Sequence, residues 1–260
     1  MFFLLSFFPD SAVSAQSWEE FMPGFAKRTI TVSLDKDKSR LEITLVRIEP
    51  KNWTIKVIDV FGTFSKRKEQ VPSYSLRQIV STLSPQVIIN GGFAATYSLP
   101  IPAGLLVVDD KIIARLNAES SLQKGIFCVG NDKLKIVDRD DYSKERCRHA
   151  IQAGPVLVKS GKVAIFRRER EKVPRYTRSA VCLDKEGKLI LSKSSEAHLY
   201  DLAQWLAEEV SKGGAGCVEA MNLSGDAESA LYINSTKSSD PLILGNIDVP
   251  ISSAIAVFQK

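Results

Sequence analysis

The chain has 260 residues, of which 44% are hydrophobic and 25% are charged, a composition that supports a sizeable buried core. It excludes disordered, collagen-like and coiled-coil proteins. Lysine and arginine exceed aspartate and glutamate by 35 to 30, and because this excess is scattered over the whole length, it argues against a nucleic-acid partner.

The N-terminal segment is predicted to be a secretory signal peptide over residues 1–15. An apolar run rich in phenylalanine and leucine is followed by Pro9 and by the small-residue ending Val13-Ser14-Ala15. No lysine or arginine precedes this run, so a buried first helix is the alternative. With a signal peptide, residues 16–26 form a short tether and residues 27–260 one domain. The mature protein is then secreted or periplasmic, with no membrane span after signal removal.

From Thr29 onward, short β-branched runs alternate with turns, a spacing typical of antiparallel hairpins. Two amphipathic patterns interrupt these runs, one from Leu76 to Leu83 and one from Leu199 to Val210, before Gly213-Gly214. We therefore predict an α+β fold in a single domain. Its core is a mixed, mostly antiparallel β-sheet with at least two amphipathic helices packed on it.

The four cysteines are Cys128, Cys147, Cys182 and Cys217, and none of them forms the Cys-x-x-Cys spacing of structural zinc sites. In an oxidising compartment three pairings are open. Cys128 and Cys147 flank a hairpin-like stretch, which favours that pair. Cys182 and Cys217 are explained at least as well as small buried hydrophobic residues inside strands.

Three strand-like segments end or break in small and polar residues. Asn90-Gly91-Gly92 follows an apolar strand, Gly154-Pro155 interrupts a second one, and Asn222 to Asp226 closes a third. Glycines allow the backbone to approach a ligand closely, and the amide of Asn90 can bond a sugar hydroxyl or a phosphate. We predict that these three segments share one rim.

The order of these segments resembles the phosphodiester glycosidase family over roughly residues 53 to 258. The motifs that carry the resemblance are Asn90-Gly91-Gly92-Phe93, Pro102-Ala103-Gly104, Gly154-Pro155, Arg178-Ser179-Ala180 and Asn222-Leu223-x-Gly225. The resemblance implies hydrolysis of a sugar 1-phosphodiester in an envelope or extracellular glycan, such as the exopolysaccharides associated with bacterial secreted members. The expected partner is thus a sugar phosphodiester or phosphorylated glycan.

The resemblance also implies roles for individual residues. Arg178 can hold a phosphate as a bidentate fork. Asn90, Gly91 and Gly92 line the floor of the expected site, with Asn222 and Gly225 opposite them. Gly154 and Ser224 complete the predicted substrate-binding set, listed in full as Asn90, Gly91, Gly92, Gly154, Arg178, Asn222, Ser224 and Gly225.

The chain departs from the family at the third segment. The usual family motif is Asn-Leu-Asp-Gly-Gly-Gly-Ser, and Ser224 stands where its aspartate is expected. A serine hydroxyl cannot take up a proton near neutral pH. Either Asp226 or Glu228 therefore acts as the catalytic carboxylate, or the protein binds a phosphorylated glycan without hydrolysing it. The sequence points to no metal ligands and no cofactor, and leaves a requirement for a divalent cation open.

Overall fold

Antiparallel strands form the framework of the protein. The computed structural model describes residues 13–34, 39–65, 74–96, 100–131, 133–144, 146–167, 174–234 and 240–260. The strands within these ranges are β1 (Val13–Ala15), β2 (Glu19–Met22), β3 (Phe25–Leu34), β4 (Ser39–Ile48), β5 (Trp53–Asp59), β6 (Val87–Asn90), β7 (Leu106–Val108), β8 (Lys111–Ala114), β9 (Gly125–Val129), β10 (Leu134–Asp138), β11 (His149–Ala153), β12 (Val156–Lys159), β13 (Lys162–Val163), β14 (Tyr176–Asp184), β15 (Leu189–Ala197), β16 (Cys217–Asn222), β17 (Leu231–Ile233), β18 (Leu242–Leu244) and β19 (Ser253–Gln259). The α-helices described are α1 (Val60–Ser65), α2 (Leu76–Leu83) and α3 (Leu199–Ala207).

The strands assemble into three sheets. Sheet A has the order β1-β3-β4-β15-β14-β16-β12-β13, with β2 paired to β3. Sheet B has the order β18-β17-β6-β19-β5, and sheet C the order β10-β9-β11-β7-β8. The predicted α+β class is wrong, because strands make up 48% and helices 17% of the described residues. The two amphipathic patterns do form helices, but each is short, and most of the chain between them pairs into strands.

The second predicted helix also ends earlier than expected. The apolar residues of its buried face are Leu202, Ala203 and Leu206. Beyond Ala207 the chain leaves the α-helix, and Val210 begins a 3-10 turn with its side chain 45% exposed. The apolar pattern therefore overestimates the length of α3 by about one turn.

The main hydrophobic core lies where the three sheets face one another. Residues from each sheet meet there, including Val181 and Met221 of sheet A, Ile89 of sheet B and Phe127 of sheet C. A second cluster packs α3 against the other face of sheet A, and a third packs α1 and α2 against the outer face of sheet B. Because the sheets share the main core, the chain forms a single domain.

Alternate residues of β14 face opposite sides of sheet A. Val181 lies in the core shared by the sheets, whereas Ala180 and Cys182 lie in the cluster with α3. By the same alternation Arg178 projects on the α3 side and Ser179 on the side of sheet B. This strand therefore supplies a polar side chain to each side of the sheet near its N-terminal end.

Two disulfides join the four cysteines. The Cys128–Cys147 bond confirms the favoured pair, and its sequence separation of 19 corresponds to a stabilisation of about 3 kcal/mol. Cys182 and Cys217 form the second bond, so of the alternatives left open for them the structure shows the disulfide, and both residues are also buried within strands. They lie on β14 and β16, which are hydrogen-bonded neighbours in sheet A.

The N-terminal region contributes to sheet A. Val13–Ala15 pairs with β3, and the segment predicted as a tether over residues 16–26 contains β2 and the start of β3. Most of the predicted signal peptide, residues 1–12, lies outside the described residues. Within the described part of the chain, no helix has the length and apolar character needed to cross a bilayer.

Candidate active site

The three segments predicted to share a rim, together with the start of β14 that carries Arg178, lie in contact at one end of sheets A and B. The Nδ2 atom of Asn90 donates a hydrogen bond to the backbone oxygen of Ser224 at 2.7 Å. The Nδ2 atom of Asn222 donates to the backbone oxygen of Gly154 at 3.0 Å. The backbone oxygen of Asp226 accepts a bond from Thr177 Oγ1 at 2.8 Å, next to Arg178. The loop after β16 therefore connects the other three segments.

Asn90 lies beneath this site and is fully buried. Its Oδ1 atom accepts a hydrogen bond from Ser179 Oγ at 2.6 Å and another from the backbone N–H of Ala230 at 3.1 Å. The Ser179 hydroxyl is also 2.9 Å from the Ser229 hydroxyl. Because protein groups occupy both ends of the Asn90 amide, its contacts favour a positioning role for this residue over direct contact with a ligand.

Gly91 and Gly92 form a tightly packed floor. A Cβ atom on Gly91 would lie 2.5 Å from Ser253 Oγ, and one on Gly92 would lie 2.6 Å from the backbone oxygen of Gln152. Real Cβ atoms do not approach other atoms so closely, so both positions require glycine. The Gly91 backbone is also occupied, since its oxygen accepts a hydrogen bond from the Ser224 N–H at 2.8 Å.

Gly154 is held in a similar way. A Cβ atom on this residue would collide with the backbone oxygen of Leu122. The neighbouring Gln152 is saturated by backbone groups, because its Oε1 accepts from Leu105 and Asn117 and its Nε2 donates to Asn117 and Gln123. Gln152 therefore ties the loop after β8 to β11 and does not present a free amide to a ligand.

Arg178 is the cation of the site and is only 8% exposed. Its guanidinium carbon lies 5.1 Å from the centre of the Tyr176 ring, and its Nε donates to the backbone oxygen of Ala197 at 3.4 Å. Burial lowers the pKa of Arg178, while Tyr176 and Asp226 act to raise it. The group remains protonated, since arginine is charged at any physiological pH. Its buried Nη2 atom has no hydrogen-bond partner among the described residues.

Asn222 projects from the same face of sheet A as Arg178. It is paired across the sheet with Ala180, which alternates with Arg178 along β14. The Oδ1 atom of Asn222 is buried and lacks a partner within the described part of the chain. The Arg178 Nη2 donor and the Asn222 Oδ1 acceptor therefore lie on one face of sheet A, and a polar ligand there would give each of them a hydrogen-bond partner.

The loop after β16 supplies the carboxylates. The Ser224 hydroxyl donates a hydrogen bond to the Oε2 atom of Glu228, and Ser224 is buried. Burial raises the pKa of the Glu228 carboxyl, whereas the bond from Ser224 lowers it. Asp226 is exposed and has a positive φ of 56°. Of the two predicted catalytic residues, Glu228 has the environment that suits proton transfer.

Sequence reasoning missed Tyr176, Ser179 and Ser229. Tyr176 lies two positions before Arg178 in β14. Because side chains alternate between the faces of a sheet, this spacing could have identified Tyr176 as a neighbour of Arg178 on the same face. Ser179 contacts Asn90, and Ser229 contacts Ser179, only through the tertiary fold, and no local pattern marks either serine. His149 lies at the opposite end of β11 from Gly154.

Within the described residues, no group of three or more histidine, cysteine, aspartate and glutamate side chains is arranged to hold a metal ion.

Comparison with known proteins places the chain in a family. The sequence profile of the phosphodiester glycosidases matches residues 84–258, which include every predicted site residue. The chain belongs to the phosphodiester glycosidase family. The resemblance noted from the short motifs is thereby confirmed, and it supports a hydrolase-type fold. A comparison with curated proteins found no match.

Two solved structures share the fold. The catalytic domain of zebrafish N-acetylglucosamine-1-phosphodiester alpha-N-acetylglucosaminidase, auto-inhibited by its pro-peptide, superimposes with a TM-score of 0.67 and 18% identity, over 96% of this chain and 88% of that one. A hypothetical protein from Synechocystis gives a TM-score of 0.64 and 14% identity, over 97% of this chain and 64% of the other. At identities of 18% and 14%, the similarity to these two structures shows a shared fold and nothing further.

Proposed function

We propose that this phosphodiester glycosidase is an exported hydrolase that cleaves a sugar 1-phosphodiester of an envelope or extracellular glycan. The observation that carries the proposal is the buried guanidinium of Arg178, whose Nη2 atom has no partner in the described structure. A buried donor without an acceptor is unfavourable, and an anionic ligand would remove that penalty. A phosphate diester supplies one negative charge and acceptor oxygens in the geometry that arginine binds well.

Neighbouring groups suit the rest of such a substrate. Gly225 lies against Arg178, and a Cβ atom there would be 3.5 Å from Arg178 Nη1 and 3.0 Å from the backbone oxygen of Thr177. The absence of a side chain thus keeps the approach to the guanidinium open. The unpaired Oδ1 atom of Asn222 can accept a hydrogen bond from a sugar hydroxyl.

Glu228 supplies the proton acceptor in the proposed reaction. Water attacks the anomeric carbon, the bond from that carbon to the phosphate oxygen breaks, and Glu228 takes the proton from the water. The electron pair leaves with the phosphate monoester, a weak base that needs little protonation, and Arg178 stabilises the developing charge. Ser224 holds the Glu228 carboxyl in place through its hydrogen bond.

The replacement of the family's aspartate by Ser224 favours a second candidate function, a protein that binds a phosphorylated glycan without cleaving it. An assay of the purified protein against a panel of sugar 1-phosphodiesters separates the two. For the hydrolase we expect free sugar and phosphate monoester in equal amounts. Binding without product would support the second function, and neither binding nor product with any member of the panel would refute both.

Export is part of the proposal and rests on the predicted signal peptide and on the two disulfides, which form in oxidising compartments. Mass spectrometry of the protein recovered from the periplasm or medium should give a mature chain that begins at or near Gln16. An intact segment 1–15 on a cytoplasmic protein would refute this part of the proposal.

A further inference from the structure

A second concave surface lies at the opposite end of sheet B from the candidate active site. In this sheet Ala254 of β19 pairs with Asn90, whereas Gln259 pairs with Trp53, roughly 17 Å further along the strand. A cavity of about 620 Å³ opens there between β5 and the turn that joins β9 to β10. We refer to it as the basic cavity, because the charged side chains that line it, among the residues that the structure describes, are all cations, namely Lys51, Lys56, Lys133, Arg148 and Lys260.

The positive charge of the basic cavity is only partly neutralised. Glu49 lies 3.5 Å from Lys51, and Asp109 lies 3.2 Å from Arg148. Lys56 and Lys133 have no ion pair within the described structure, and Lys56 is placed 5.9 Å from the centre of the Phe258 ring. The uncompensated charge therefore lies on Lys56 of β5, on Lys133 in the turn before β10, and on Lys260, whose Nζ donates to the backbone oxygen of Lys51.

Trp53 and His149 give the basic cavity a rigid lining. Trp53 is half-buried, its Nε1 donates to the backbone oxygen of Pro23 at 3.2 Å, and its ring meets that of Phe25 edge to face. The His149 side chain is buried, and its Nδ1 accepts a hydrogen bond from the Asp109 N–H at 3.4 Å. Aromatic surface combined with a few fixed polar groups is the usual lining of a ligand site.

We propose that the basic cavity binds an anionic glycan, a chain of sugar units that carry carboxylate or phosphate groups, at a site separate from the candidate active site. The lysines supply the charge for the acidic groups, and the Trp53 ring supplies apolar area for the face of a sugar ring. The cations surround a concavity, which suits a flexible chain better than the wide convex surface of a nucleic-acid duplex. The site would hold the polymer on which the protein acts.

The proposal is tested by calorimetric binding of an oligogalacturonate of about eight units, a carboxylate-bearing glycan, to the whole protein at low ionic strength. We expect the affinity to fall with added salt, since exposed charges are screened. The Lys56→Glu/Lys133→Glu variant should bind at least about 10-fold more weakly, because two charge-assisted contacts become repulsive. The matched control Arg40→Glu/Lys162→Glu makes the same charge change at exposed positions of sheet A and should bind within about twofold of wild type.

Several outcomes would overturn the proposal. Equal weakening in both double variants would show that net charge alone attracts the ligand. Absence of oligogalacturonate binding, equal binding of neutral dextran, or tighter binding of a single-stranded oligonucleotide of the same charge would each contradict an acidic-glycan site. Loss of hydrolysis of a small sugar phosphodiester in Lys56→Glu/Lys133→Glu would contradict its separation from the active site. If the hydrolase assay fails, the binding measurement with oligogalacturonate still tests the glycan site by itself.

Discussion

Replacing Arg178 with methionine is expected to weaken binding of a sugar phosphodiester by about 100-fold or more, equivalent to about 3 kcal/mol. The loss arises because the phosphate is left without its charged bidentate partner in a buried site. Methionine keeps an apolar stem beside Tyr176 and removes a buried donor that has no acceptor among the described residues, so the midpoint of thermal unfolding should fall little. Calorimetry with a non-hydrolysed analogue and thermal unfolding measure the two effects.

Two further variants show whether the loss of affinity arises from the paired donors of the Arg178 guanidinium. Arg178→Lys keeps the charge but loses the planar pair of donors, and we expect it to recover only part of the affinity. Arg115→Ala removes an exposed arginine after β8 and should leave binding unchanged. Similar small losses from Arg178→Met and Arg115→Ala would mean that Arg178 does not contact the phosphate.

Replacing Glu228 with glutamine is expected to slow hydrolysis by about 100-fold or more, the usual effect of losing a general base. Glutamine keeps an oxygen that accepts the Ser224 hydrogen bond, so substrate affinity should change little. Asp226→Asn is the matched control, and because Asp226 is exposed, it should slow the reaction much less. A larger loss in Asp226→Asn would assign the catalytic role to Asp226 instead.

The pH dependence of both activity and stability follows from the same carboxyl. Burial raises the pKa of Glu228 above its ordinary value of 4.5. The base is active when deprotonated, so activity should fall on the acidic side at a higher pH than an exposed glutamate would give. Because the folded state holds this proton more tightly than the unfolded chain, the contribution of Glu228 to stability decreases as the pH rises from 4.5 through the raised pKa.

Glu228→Gln cannot ionise and should therefore unfold at a higher temperature than wild type at pH 7, with the difference vanishing at acidic pH. Thermal unfolding of both proteins across this range checks the sign. An equal or lower unfolding temperature for the variant at pH 7 would show that the buried carboxylate is stabilised by its surroundings, contrary to the desolvation argument.

Local sequence patterns predicted the strand that ends at Asn90 and the two amphipathic helices, since apolar runs, alternation and glycines act over a few residues. The proportion of strand to helix could not be predicted from such patterns, because the pairing of distant strands determines it. The bond between Ser179 and Asn90 spans 89 positions, and the Cys182–Cys217 disulfide depends on β14 and β16 becoming neighbours. Both are consequences of the sheet order, which no local signal encodes.

The role of Asn90 illustrates the same limit at the site. Its position after a buried strand and before two glycines indicated a residue close to a ligand, and it does lie beneath the candidate site. Its saturation by Ser179 and Ala230 comes from other parts of the chain. Sequence therefore located the segment but could not distinguish a side chain that meets a ligand from one that supports those that do.

The Cys182–Cys217 disulfide restricts how the candidate site can move. The bond joins β14 to β16 near the end of the pair where Asp184 lies opposite Cys217, whereas Arg178 and Asn222 lie toward the other end. The two strands are thus hinged covalently at one end, and any separation of them must begin as fraying at the site end. Arg178 and Asn222 can then part only by local fraying of that end, without separation of the two strands along their whole length.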